Sequence, residues 1–132
     1  MKRASIFIIT LFAASRILAA TYYVDFVGGN NASAGTSTGA AWKHCPGDPN
    51  ATSTAASATL SAGDTVIFKG GVTYNVGSNS RIALSWDGSS GSPITYDGNS
   101  AGTWGTGKAI ISNNHGTGGS GAAAFGVGST TR

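Results

Sequence analysis

The sequence predicts an all-β protein built from short strands and tight turns. The chain contains no Glu and no Gln, and 21 of its 132 residues are Gly, so residues that favour helices are scarce. The β-branched and aromatic residues come instead in short clusters, separated by turns rich in Gly, Asn and Asp. Ten aromatic residues lie beyond position 20, which is more than a disordered linker of this composition should carry.

The first twenty residues have the layout of a secretory signal peptide. A basic start at residues 1–3 precedes an apolar run at 6–14, which is shorter than the ~20 residues that a bilayer span needs. The Ala pair that ends the segment predicts cleavage before Thr21. An uncleaved anchor helix is the alternative. We therefore expect residues 1–20 to be a signal peptide and the protein to be secreted, extracellular or periplasmic, with no membrane span after cleavage.

The charge of the chain is concentrated in this leader. The whole sequence has a formal net charge of +3, and three of its eight basic residues precede position 21. The five basic residues that follow are balanced by five Asp. Because the aromatic residues are not interleaved with Arg and Lys as a nucleic-acid groove requires, we expect no nucleic acid partner.

Alternation of apolar and polar residues predicts the strands. A lone aromatic residue, Trp42, follows the long polar loop at 28–41 and is expected to plug the end of the core. Residues 50–60 predict one short, weak helix with Leu60 inward. The predicted core contains Val66, Phe68, Leu84, Ile94 and Tyr96, with Ile67 and Lys69 on the outward face. The predicted strands are 21–26, 65–69, 72–76, 82–86, 93–97, 109–112 and 122–127.

Two architectures accommodate these strands. The connections are too short for helical crossovers, so parallel pairing would require the chain to coil around a common axis. Residues 65–69, 82–86 and 93–97 would then form the three sides of the first coil, and residues 109–112 would begin the second on the first side. An antiparallel β-sandwich also has short strands and Gly-rich turns. The spacing alone leaves both open.

Five phrases resemble the N-terminal cap and first coils of secreted right-handed parallel β-helix proteins, the pectate-lyase-like superfold. The resemblance covers about residues 22–114, and the GDTV element with the Gly pair after it is the most specific part. It implies a right-handed parallel β-helix, of which residues 21–132 would be the N-terminal portion of a truncated domain. The phrases are TYYVDF from Thr21, GTSTGAAWKHCPG from Gly35, LSAGDTVIFKGGVTY from Leu60, GSPITYDG from Gly91 and GKAIISNN from Gly107.

The resemblance also implies a function. Proteins of this superfold cleave acidic polysaccharides by β-elimination or hydrolyse glycosides, so we expect a polysaccharide partner and a lyase or glycoside hydrolase. Such lyases use a Lys or Arg base, often with Ca²⁺, and hydrolases use two carboxylates. No local motif here matches either set, so no catalytic residue and no cofactor are assigned, although Ca²⁺ in the full-length protein is consistent with the resemblance. A non-catalytic carbohydrate-binding or surface protein is the alternative.

Three residues are candidates for contact with a sugar. Trp104 lies in a Gly-rich loop, where its flat ring could stack on a pyranose. Lys69 and Arg81 could line a groove for an acidic sugar, although a solvated surface charge is the simpler interpretation of each. Trp86 shares a face with the apolar residues of its strand and is expected in the core.

Other polar residues have simpler interpretations. Asp64, Asp87 and Asp97 adjoin Gly at strand boundaries and are expected to cap turns. No Asp-x-Asp-x-Asp-Gly loop is present, so no local calcium site is predicted. Cys45 follows His44, but adjacent side chains seldom point at each other and no third orienting group is evident, so no catalytic Cys–His pair is predicted.

Overall fold

Among the residues that the structure describes, the regular structure consists of short strands with almost no helix, as the composition predicts. The computed structural model describes residues 18–77, 80–113 and 123–127. Helical structure within these ranges is limited to a 3₁₀ turn at Thr38–Ala40 and the five-residue α1 at Ser53–Ser57. The strands are β1 (Thr21–Val24), β2 (Thr65–Phe68), β3 (Thr73–Asn75), β4 (Ile82–Leu84), β5 (Thr95–Asp97), β6 (Ile110–Ser112) and β7 (Phe125–Val127).

Most of the predicted signal peptide, residues 1–17, lies outside the described ranges. Residue 122, the first of the predicted last strand, lies outside them as well. None of the helices among the described residues is both long and apolar enough to cross a membrane.

Every pair of named strands is parallel. The described residues form three sheets, with the strand orders β1-β2-β5, β3-β6 and β4-β7. The chain passes through β2, β3 and β4 and then visits the same three sheets in the same order with β5, β6 and β7. This pairing disagrees with the antiparallel sandwich that the spacing left open.

The pairing also corrects the predicted first coil. Residues 93–97 were expected to form its third side, but β5 pairs with β2, with Thr65 opposite Thr95. Likewise β6 pairs with β3 and not with β2. The three-residue β3, which the predicted coil leaves out, pairs with β6 in a two-stranded sheet and points one side chain inward, Tyr74, which is 2% exposed. A strand this short has too few residues for its alternation to stand out in the sequence.

The core forms where the inward faces of the sheets meet. Trp42 is 1% exposed, stacks on Tyr22 with 4.9 Å between ring centroids, and donates its indole N–H to Ser33 O at 2.8 Å, so it plugs the core as expected. Phe68 packs edge-on against Tyr74, with ring centroids 5.2 Å apart. The buried cluster consists of Val24, Trp42, Cys45, Ala55, Leu60, Val66, Phe68, Tyr74, Val76 and Ile82.

The predicted inward face is largely correct. Val66 and Phe68 are buried, and Ile94 and Tyr96 pack against the buried cluster. Leu84 differs, because it is half-buried at the wall of an open groove instead of inside that cluster. Between positions 50 and 60 the helix is confined to α1, and Leu60 points inward as predicted.

Candidate functional site

The parallel pairing of β1 and β2 brings an aspartate and a lysine together. Val24 lies opposite Phe68 at the ends of the two strands, so the next residues, Asp25 and Lys69, leave the sheet side by side. Lys69 N–H donates to Val24 O at 2.9 Å, and Lys69 Nζ lies 2.6 Å from Asp25 Oδ2. The two side chains are 34% and 8% exposed, so the lysine reaches solvent while the carboxylate is nearly covered.

Asp25 is held as an ionised carboxylate. Its Oδ1 accepts N–H groups from Val27 at 3.1 Å and Gly28 at 2.9 Å. Partial burial acts to raise the pKa of Asp25, but the Gly28 N–H and the Lys69 ammonium outweigh it and keep the pKa below its ordinary value. The carboxylate therefore fixes the position of the lysine across the pH range in which proteins normally work.

Trp104 completes this group. Its ring meets the edge of Tyr23 with centroids 5.4 Å apart at 86°, and Lys69 Nζ lies 5.8 Å from its centroid. Trp104 is half-buried, so part of the ring stays open to solvent. We call Tyr23, Asp25, Lys69 and Trp104 the flank cluster.

A buried asparagine and a tight backbone approach hold the loop that carries Trp104. Asn99 is 1% exposed and has a left-handed φ of 65°. Its side chain accepts Trp104 N–H at 3.1 Å and donates to Gly107 O at 2.8 Å. Gly70 N–H donates to Trp104 O at 3.0 Å, directly after Lys69. The tryptophan is thus tied to the strand end that carries the lysine.

The predicted contact residues divide into two groups. Trp104 and Lys69 come together in the flank cluster, whereas Arg81 is exposed before β4 and runs alongside β7, where a Cβ at Gly126 would lie 2.5 Å from its Cδ. Tyr23 and Asp25 were not among the sequence candidates. The only feature that could have placed these two residues beside Lys69 is the register of the strands, which can be read only once β1 and β2 are known to pair in parallel.

A second polar group lies inside the core. The Asp48 side chain is fully buried, and its Oδ2 accepts the Tyr74 hydroxyl and faces His44 Nδ1 at 3.1 Å. Its Oδ1 accepts the backbone and side-chain N–H groups of Asn50 at 2.7 and 3.0 Å. His44 thus has the orienting carboxylate that sequence reasoning did not find, four residues downstream.

This core group does not activate Cys45. The thiol is fully buried, lies 3.8 Å from the Tyr74 hydroxyl, and has its pKa raised to about 12 by burial. Its own backbone N–H donates to the Tyr74 oxygen at 3.0 Å. The Cys45 thiol is therefore disfavoured from ionising where it lies.

The remaining polar predictions concern turns and metals. Asp64 caps the start of β2 by accepting N–H groups from Ala20 at 2.7 Å and Ser61 at 2.8 Å, and Asp97 accepts Ser100 N–H at 2.7 Å. Within residues 18–77, 80–113 and 123–127, no three His, Cys, Asp or Glu side chains converge as a metal ion would require.

Comparison with known proteins found no relative of this chain. No protein family, curated protein or solved structure matches the chain. Support for a function therefore comes from the geometry of the flank cluster and from the resemblance of the short sequence phrases alone.

Proposed function

We propose that this chain forms the cap and first coils of a secreted right-handed parallel β-helix that binds polysaccharide through the flank cluster. The observation that carries the proposal is the half-exposed Trp104 ring beside a lysine held in place at the ends of parallel strands. The return of the chain to the same three sheets in the same order supports the coiled architecture.

The flank cluster offers two complementary contacts to a sugar. The open part of the Trp104 ring presents a flat apolar surface to the C–H groups of a pyranose. The Lys69 ammonium has three N–H donors, and the bond to Asp25 uses one of them. The others are available to a uronate carboxylate or a hydroxyl, which favours an acidic polysaccharide.

Binding is better supported than cleavage for the described residues. The flank cluster contains one carboxylate, and it is already paired with the lysine. A glycoside hydrolase needs two carboxylates on opposite sides of the scissile bond. A lyase needs a base that is free to take a proton, whereas the Lys69 side chain is already in contact with the Asp25 carboxylate. A non-catalytic carbohydrate-binding β-helix is therefore the form of the proposal that this geometry favours, and lyase or hydrolase activity of a longer protein stands as the second form.

Calorimetric titration of the purified chain with oligogalacturonate, oligomannuronate and xylohexaose tests the proposal. We expect saturable binding of the acidic oligosaccharides and a loss of about tenfold or more in affinity for Trp104→Ala. Lys69→Met should weaken acidic ligands more than xylohexaose. If neither oligogalacturonate nor oligomannuronate bound saturably, the proposed function would be overturned.

A matched control separates the cluster from general surface charge. Lys43 is also exposed and also lies over an aromatic ring, with its Nζ 5.9 Å from the Phe26 centroid. Lys43→Met should leave acidic-oligosaccharide affinity within about twofold of the unmodified chain. If it weakened binding as much as Lys69→Met, the attraction would be non-specific. Circular dichroism melts of all variants distinguish lost binding from lost folding.

A further inference from the structure

A second open site lies between the end of β4 and the start of β5. It is a groove of about 370 Å³, within the lower part of the ~300–1,000 Å³ range of small-molecule pockets. Its walls combine aromatic and aliphatic side chains with the hydroxyls of a serine turn, and none of its lining residues carries a charge. The residues that matter here are Leu84, Trp86, Ser89, Ser90, Ile94 and Tyr96. We call this site the Trp86 groove.

The turn that forms one wall is held firmly. Ser89 and Ser92 exchange two backbone hydrogen bonds of 3.1 and 2.9 Å. Gly88 packs so closely on the following strand that a Cβ would lie 2.9 Å from both Pro93 Cα and Ile94 N. The backbone that carries Ser89 and Ser90 is therefore held in place.

The opposite wall is anchored in the core. Trp86, Ile94 and Tyr96 all pack against the buried cluster while remaining partly exposed. The Tyr96 ring also meets Phe125, with centroids 5.5 Å apart at 64°. Trp86 was expected from its alternation to be a core residue. It contacts the core but also lines the groove, so its exposed part is available to a ligand.

We propose that the Trp86 groove binds a neutral pyranose unit. Aromatic rings contact the apolar C–H groups of such a sugar, and the turn hydroxyls of Ser89 and Ser90 can donate to and accept from its own hydroxyls. A uronate carboxylate would lose water here without gaining a cationic partner. The groove should thus prefer neutral sugars, whereas the flank cluster, which has a lysine, should prefer acidic ones. The two sites share no residue, so this proposal does not depend on the proposed function.

Tryptophan fluorescence reports the groove directly in a Trp104→Phe background. The two tryptophans that remain are Trp86 and Trp42, and Trp42 is 1% exposed in the core. Titration with cellohexaose should give a saturable emission change. Calorimetry should show that, relative to the unmodified chain, Trp86→Ala loses about tenfold or more in cellohexaose affinity and Ser90→Ala loses a few-fold.

A control variant beside the groove and a conservative variant of Trp86 distinguish lost binding from lost folding. Asp87→Asn alters an exposed neighbour that does not line the groove and should leave cellohexaose affinity unchanged. If Trp86→Ala does not fold, Trp86→Phe keeps an aromatic wall, and should retain part of the affinity. If cellohexaose gave no saturable emission change up to about 1 mM, the proposal would be overturned. If trigalacturonate changed the Trp86 emission as much as cellohexaose or more, the assignment to a neutral sugar would be overturned. Neither outcome depends on whether acidic ligands bind at Trp104.

Discussion

Lys69 and Asp25 form an ion pair because the strands before them end together. Their separation in sequence is 44 residues, yet Lys69 Nζ and Asp25 Oδ2 are 2.6 Å apart. Parallel strands whose registers match deliver their following residues to the same edge of the sheet. A change that breaks this ion pair should therefore affect both the pairing of β1 with β2 and the flank cluster.

Acid should remove the stability that this pair provides. The pKa of Asp25 in the folded chain lies below its ordinary value of 3.8. Its contribution is therefore fully present above that value and is lost as pH falls through the lower, folded-state pKa. We expect urea midpoints of the unmodified chain to fall more between pH 6 and pH 3 than those of Asp25→Asn, relative to their values at pH 6. Parallel pH profiles for the two proteins would contradict this prediction.

The register of β2 can be tested with neighbouring residues on opposite faces. Phe68 is 2% exposed and packs on Tyr74, so Phe68→Ala should cost ~3–5 kcal/mol of unfolding free energy. Ile67 is half-buried on the other face, and Ile67→Ala should cost about 1 kcal/mol. Chemical denaturation at neutral pH measures both. Comparable losses would mean that the strand does not have one buried face. Lys69 is not a suitable outward control, because its substitution also removes the partner of Asp25.

The strands of this fold are easier to predict from the sequence than the strands with which they pair. The alternation around Val66 and Phe68 correctly predicts an inward face, because a strand of four residues shows its period of two. The strand at residues 72–76 is predicted but is given no side in the predicted coil, since three residues with one buried Tyr74 carry almost no period. Pairing between strands 30 or more residues apart has no local signal at all.

The same limit applies to the candidate sites. Trp104 and Lys69 were identified by residue type, because a tryptophan in a polar loop and a lysine at a strand end are conspicuous in the sequence. Asp25 was not, since it gains its role from a register that joins distant strands. His44 lies four residues from Asp48, but that pairing depends on a loop conformation fixed by the buried Tyr74 hydroxyl.

Cys45 should be unreactive in the folded chain. Burial raises the pKa of its thiol to about 12 and leaves it with no exposed surface. Only the thiolate reacts with alkylating reagents. At pH 8, iodoacetamide should label Cys45 in urea within the time expected for a free thiol, and should label the folded chain only as fast as the chain opens. Rapid labelling under native conditions would show that the thiol is accessible and that this part of the core is not closed.

A close backbone contact at Gly70 positions the loop that carries Trp104. Gly70 follows Lys69, and a Cβ there would lie 2.1 Å from Gly107 O and 2.3 Å from the Asn99 side chain. Backbone cannot yield as a flexible side chain can, so Gly70→Ala should push away the loop that carries Trp104. We expect a loss of stability of ~1–3 kcal/mol and weaker binding of acidic oligosaccharides. Gly39→Ala is the matched control, because a Cβ at Gly39 meets nothing within 4 Å. Calorimetric binding and thermal melts of both variants measure the effect. If Gly70→Ala bound and melted like Gly39→Ala, the close approach of these two backbone segments would not be what holds Trp104 beside Lys69.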